Sequence, residues 1–264
     1  MTKLSLANPF GGPIFHQETL SSTMDVSREL SDRGEPHGTV IAADFQEAGR
    51  GRLGRTWNSQ RGESLFFTIL LRYAGYAAIP KALTLKTGLA VALAIEDFIE
   101  NTGLSLRDTI QVKWPNDIMI GPRKVAGILT EGNGKTVYAG IGVNLAQREF
   151  PEPLRGKAVS IALACNAGSA DPVSENRFFL LERILAGLFR ELTYPEDDRW
   201  RIRLLERLYM RDRTVGFIPG AADSPVRIEG RLHGIGPRGE LLIVPEGETE
   251  PVFFVTGELD VYEK

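Results

Sequence analysis

A chain of 264 residues, 42% hydrophobic and 25% charged, has the composition of a globular protein with an ordinary core and surface. Its net charge of −3, with basic residues spread along the chain, excludes a global field that would hold it on nucleic acid or anionic lipid. Cys165 is the only cysteine, which excludes an internal disulfide and a multi-cysteine zinc site, and fits a small buried hydrophobe in a reducing cytoplasm.

From the N-terminus, Asn8-Pro-Phe-Gly-Gly-Pro13 interrupts any apolar core of an export signal. Ile14 to Thr19 reads as a short strand. Ser22-Thr23-Met24-Asp25 follows, a hydroxyl with an acid three residues on, and predicts a capped helix to about Gly34. Thr39 to Phe45 is an apolar, β-branched run typical of a buried strand, and Ser64 to Leu71 is the next strand. Leu85, Leu89, Ala92, Ile95 and Ile99 recur at helical spacing and predict a long core helix ending near Gly103. Its longest uncharged stretch, Thr87 to Ile95, falls far short of the roughly 20 residues a bilayer requires, so no membrane span is expected.

Ile110 to Trp114, Ile118 to Ile120, Val125 to Glu131 and Thr136 to Val143 alternate with Pro, Gly and Asn turns and predict a meandering sheet. Pro151 to Pro153 opens a loop. Ser174 reads as the cap of a helix carrying Phe178, Leu181, Leu185, Leu188 and Leu192, and Asp198 as the start of another through Met210. Short strands with glycine turns, Thr214 to Ile218, Val226 to Ile235, Leu241 to Val244 and Val252 to Val255, predict a compact β-barrel of about 50 residues. The boundary falls near Arg213, giving domains 1–213 and 214–264.

Three segments carry chemistry. Gly49 to Trp57 (GRGRLGRTW) packs Arg50, Arg52 and Arg55 among Gly49, Gly51 and Gly54, so forked cations sit on a backbone that can approach an anion closely. Its glycines match a dinucleotide fingerprint, but the polar, turn-rich continuation is no helix start, and that reading is rejected. The loop reads instead as an anion clamp, ordered by a ligand that offsets the repulsion of its arginines. The second, Lys113-Trp-Pro-Asn-Asp117, is turn chemistry when taken alone, and Lys124 alone reads as a surface lysine. In the third, Gly140 to Asn144 (GIGVN), the Asn144 amide either caps a turn or reads a base edge.

Taken together and in order, Ser22-Thr23, Gln46, GRGRLGRTW, KWPND, KVAGIL and GIGVN strongly resemble the biotin protein ligases, across nearly the whole chain. The resemblance implies an α+β fold, a class II synthetase-like catalytic domain whose mixed, mostly antiparallel sheet is flanked by helices, followed by a small SH3-like β-barrel. It implies ATP-dependent attachment of biotin to a lysine of a biotin carboxyl carrier protein domain, with ATP and biotin as substrates and Mg²⁺ as the metal. By position, Ser22, Thr23, Met24, Gln46, Arg50, Gly51, Arg52, Lys124, Gly127 and Gly140 would bind biotin. Arg50, Arg52, Trp57, Lys113, Asn116, Asp117 and Asn144 would bind ATP or the adenylate. Lys124 and Arg52 would be catalytic, and Asp117 would face magnesium. Where the family often has asparagine this chain has Met24, a departure from its pattern.

The chemistry needs such residues, because both the carboxylate and ATP are anions and cations must neutralise their repulsion as carboxylate oxygen attacks the α-phosphorus. No enzyme nucleophile is needed when the acceptor lysine attacks the mixed anhydride, so the single cysteine poses no difficulty. Only about twenty residues precede Ser22, too few for the helix-turn-helix of ligases that double as repressors, and no DNA partner is expected. A homodimer on the adenylate-ordered surface fits the resemblance. The rivals are a lipoate ligase or octanoyl transferase of the same fold and a noncatalytic biotin or nucleotide binding module; pyrophosphate release with biotin, lipoate or octanoate separates them.

Overall fold

The computed structural model of the protein describes residues 1–57, 60–167, 172–193, 199–220 and 226–260. In chain order the larger part comprises β1 (Thr2–Leu4), β2 (Ile14–Leu20), α1 (Thr23–Asp32), β3 (Val40–Gln46), β4 (Ser64–Arg72), α2 (Leu83–Asn101), β5 (Ile110–Lys113), β6 (Asp117–Ile120), β7 (Arg123–Asn133) and β8 (Thr136–Asn144). Helices α3 (Ile161–Ala164), α4 (Pro172–Glu175), α5 (Arg177–Thr193) and α6 (Arg199–Glu206) follow. The strands form one sheet ordered β1-β2-β3-β4-β8-β7-β6-β5, in which only β2 and β3 run parallel. The expected mixed, mostly antiparallel sheet flanked by helices is therefore present.

Side-chain alternation assigns the two faces of this sheet. Val40 and Ala42 of β3, with Leu65, Phe67, Ile69 and Leu71 of β4, join the main core on one face. There α2 buries Leu85, Leu89, Ala92, Ile95 and Ile99, the stripe read from the sequence, and packs on α5. By length and composition α2 could cross a membrane, but its apolar side chains are spent inside the protein. The opposite face is covered by α1, and there Ile41, Ala43 and Leu20 form one small apolar cluster and Leu70 and Tyr138 another with Met24. Phe66 and Thr68 share this face with Leu70, and it is here that the candidate site lies. Strand β4 reads as a continuous apolar run because both its faces are covered.

The smaller part comprises β9 (Thr214–Pro219), β10 (Ile228–Ile235), β11 (Leu241–Pro245), β12 (Val252–Phe254) and β13 (Gly257–Asp260), an antiparallel sheet ordered β12-β11-β10-β9-β13. It packs on the Lys113–Asp117 turn, where Trp114 Nε1 donates to Gly239 O at 3.0 Å and the Trp114 ring lies 6.0 Å from Phe217.

Several expectations change. Ser174, expected just ahead of a helix, lies inside α4, and the long helix α5 begins at Arg177. The helix expected to reach Met210 stops at Glu206, and the chain then runs beside β5, with Val112 bridged to Leu208 and Tyr209 N donating to Val112 O. Asp198 lies outside the described residues. Strands β1 and β13 and the short α3 escaped the sequence reading. Cys165 is buried, and burial pushes its thiol up to about 11, as an inert small hydrophobe.

Candidate functional site

Two neighbouring cavities share Arg52, Trp57, Asn116 and Lys124, and the first of them lies against α1. The first begins where Ser22 caps α1, in extended conformation, its Oγ accepting from Met24 N at 3.3 Å. Asp25, expected to complete a capping box, instead faces arginines. The next residue, Thr23, donates through its backbone N and its Oγ1 to Gln46 Oε1, at 2.8 and 3.1 Å, and accepts from Thr68 Oγ1 at 2.9 Å. One hydrogen-bonded group thus joins the start of α1, the end of β3 and the middle of β4.

The floor is bare backbone. Gly140 and Gly142 are two residues apart on β8 and so share a face, and Gly127 of β7 pairs directly with Gly142. A Cβ at Gly127 would lie 2.8 Å from Trp57 Cζ3 and 2.9 Å from Lys124 Nζ; one at Gly142 would lie 3.1 Å from the same indole. The glycines make room for Trp57 and Lys124 to lie flat against the sheet.

The clamp is a closed hairpin loop. Gly51 N donates to Arg55 O at 2.7 Å and Trp57 N to Gly49 O at 3.0 Å, with Leu53 and Gly54 both at positive φ in the turn. This geometry is the physical reason that no dinucleotide-type helix follows the glycines. The three arginines have different fates. Arg50 pairs with Asp25 at 2.5 Å, and Asp25 also binds Arg28, which in turn pairs with Glu131. Arg55 makes a two-pronged pair with Glu258 of β13, both bonds 2.7 Å. Arg52 donates to Asn116 Oδ1 at 3.2 Å and lines both cavities. Trp57 packs edge-on against Phe66, and Lys124 Nζ lies 5.2 Å from the indole centroid.

Beyond Arg52 the second cavity is the larger, ≈ 240 Å³ against ≈ 60 Å³ for the first. Together they approach the lower end of the range of about 300–1,000 Å³ typical of small-molecule sites. Arg52, Arg55, Lys113, Lys124 and Lys157 line the second cavity against the carboxylates of Asp117 and Glu258, so the excess charge is cationic. Lys124 Nζ sits 2.6 Å from Asp117 Oδ1. The Asn116 amide donates to Ile128 O at 2.8 Å, pinning the turn to β7. Burial lowers the Lys113 pKa, countered first by the charge of Asp117. Glu258 is held below the usual carboxylate range by its hydrogen bond from Arg55. Such a pocket suits an anion with several charges.

All ten residues expected to meet biotin line the first cavity: Ser22, Thr23, Met24, Gln46, Arg50, Gly51, Arg52, Lys124, Gly127 and Gly140. Of those expected to meet ATP, Arg52, Trp57, Lys113, Asn116, Asp117 and Asn144 line the second, and Arg50 lines only the first. Asn144 is 4% exposed, and its amide donates to Val159 O at 3.1 Å and Lys124 O at 3.5 Å, so it secures the strand that carries Lys124. Sequence reasoning missed Thr68, Phe66 and Gly142 in the first cavity and Glu258 in the second. Alternation from Leu70, or from Gly140, would have found the first three.

Residues 17–146 match the profile of the biotin/lipoate A/B protein ligase family. The bifunctional ligase/repressor BirA of Escherichia coli is 36% identical over 95% of this chain and 74% of its own length. The bifunctional ligase/repressor BirA of Bacillus spizizenii is 37% identical over 58% of this chain, which spans about half, 47%, of that relative. The solved biotin protein ligase of Aquifex aeolicus, in complex with biotin and ATP, superposes with a TM-score of 0.75 at 26% identity, covering 94% of this chain and 97% of that one.

Proposed function

This chain belongs to the biotin/lipoate A/B protein ligase family and groups there with the biotin protein ligases; on that premise we propose that it joins biotin to a carrier protein in two ATP-dependent steps. In the first, a carboxylate oxygen of biotin attacks the α-phosphorus of ATP, forming biotinyl-5′-AMP and releasing pyrophosphate. In the second, the amine of an acceptor lysine attacks the acyl carbon, an amide forms and AMP leaves. The observation that carries this reading is that Arg52, Trp57, Asn116 and Lys124 line both cavities, so two cations stand where an acyl chain from the first would meet a phosphate from the second.

In this reading Ser22, Thr23 and Gln46 hold the ureido head, while Gly51, Gly127 and Gly140 leave room for the ring and chain. Arg52 and Lys124 neutralise the carboxylate and α-phosphate as they approach, the step in which fixed charge contributes most. Trp57 shields the mixed anhydride from water, and Arg50, anchored to Asp25, holds the clamp at the head end. Lys113, Asn116 and Asn144 shape the nucleotide end. Magnesium fits this cavity by its donors, since one carboxylate plus substrate phosphates and water is a common magnesium arrangement. Asp117 would hold it there, and the bound ion would offset phosphate charge. Among the described residues there is no cluster of three or more metal-ligating side chains.

The finer organisation is proposed with it: residues 1–213 as the catalytic domain and 214–264 as an SH3-like barrel, of which the five-stranded sheet is the counterpart. A carboxylase carrier domain is the acceptor, a homodimer forms on the adenylate-ordered face, and the protein works in the cytoplasm. Co-crystallisation with biotin and MgATP tests the reading: density for biotinyl-5′-AMP beneath Arg50–Trp57, with pyrophosphate released in solution, is expected. Biotin-independent turnover, or none where a control ligase turns over, refutes it.

A further inference from the structure

Part of the lining of the first cavity is an apolar contact that adenylate chemistry does not use. Met24 is 3% exposed and packs with Leu70, Tyr138 and Leu129. A Cβ added at Gly140 would lie 2.9 Å from the Met24 methyl and 3.5 Å from Thr68 Oγ1, so thioether and hydroxyl meet above the same bare backbone. The strand withholds a side chain at Gly140 and the helix fills the space with methionine, an unbranched and polarisable group that moulds to a neighbouring ligand.

We propose that Met24, seated on Gly140, is the specificity-determining residue of this pocket: it closes the cavity at this contact against extended acyl chains and so selects a compact ring head. The inference rests on the biotin reading of the site. A straight acyl chain gains contacts from a deeper tunnel, whereas a fused ring head gains from a close floor, so one truncation moves the two affinities in opposite directions.

The test compares wild type, Met24→Ala, Gly140→Ala and the double variant, with folding checked by circular dichroism. Pyrophosphate release gives kcat/KM for biotin and for octanoate at saturating MgATP, and thermal shift reads binding of each acid without turnover. Met24→Ala should lower kcat/KM for biotin and raise it for octanoate, each by about tenfold, the scale on which an apolar pocket discriminates. Gly140→Ala should weaken biotin binding, and adding Met24→Ala should restore part of it, because the new methyl enters vacated space. If Met24→Ala does not fold, Met24→Val should move the ratio in the same direction. A ratio that stays within about threefold, or a Gly140→Ala defect indifferent to Met24→Ala, overturns the proposal. Wild type that binds neither acid refutes the biotin reading instead, and the two failures are distinct.

Discussion

Replacing Glu258 by Gln keeps the shape of the side chain and removes the charge that ties the smaller sheet to the clamp. The pair with Arg55 is two-pronged at 2.7 Å, but the Arg55 side chain is 59% exposed and that of Glu258 29%. Solvent screening therefore limits it to about 1 kcal/mol, near the upper end for accessible ion pairs. For a chain of this size that corresponds to a fall in Tm of roughly 2–4 °C. The pH dependence has a definite sign. Because Arg55 holds the folded pKa of Glu258 down, the contribution is fully present above the ordinary glutamate value of about 4.3, and is lost as pH falls through the lowered folded value. Denaturant unfolding of wild type, Glu258→Gln, Arg55→Gln and the double variant, at about pH 7 and again below about pH 4, measures it. The cycle should give a coupling of about 1 kcal/mol at the higher pH, shrinking at the lower. Additive effects at both pH values would refute the reasoning.

Arg52→Ala and Lys124→Ala should retain the fold and slow adenylate formation by about a hundredfold or more, read as pyrophosphate release; unchanged rates would remove both from their proposed roles. Gly127→Ala pushes a methyl against Trp57 Cζ3 and Lys124 Nζ, at 2.8 and 2.9 Å, and should abolish turnover while shifting indole fluorescence. Thr23→Val removes the hydroxyl's bonds to Gln46 and from Thr68 while leaving the backbone bond to Gln46, and should raise the KM for biotin by about tenfold with kcat little changed, as loss of buried hydrogen-bond partners predicts.

What was legible in the sequence followed from periodicity. The runs from Thr39 to Phe45 and from Ser64 to Leu71 mark strands, whereas the bare stripe of Gly140 and Gly142 was passed over in GIGVN, although residues two apart on a strand share a face. The clamp was legible because glycines and arginines crowd one short segment. Long-range partners were not. Glu258 meets Arg55 across 203 residues from a four-residue strand holding one buried leucine, Leu259, and nothing local marks it. Arg50 stands among three arginines that look alike in sequence, and only the fold sets Asp25 beside it. Ser174 misled because a hydroxyl before an apolar run also occurs inside a short helix. Asn144 was left between capping and base reading, and burial shows its amide bonded to backbone.

The most direct measurement follows labelled biotin into product. Purified protein, MgATP and a recombinant biotin carboxyl carrier domain are incubated together, and the carrier is analysed by mass spectrometry. The account predicts one biotinyl amide, on the acceptor lysine, formed only with ATP and lost when Arg52 or Lys124 is alanine. An unlabelled carrier, under conditions where a control ligase modifies it, would contradict the account.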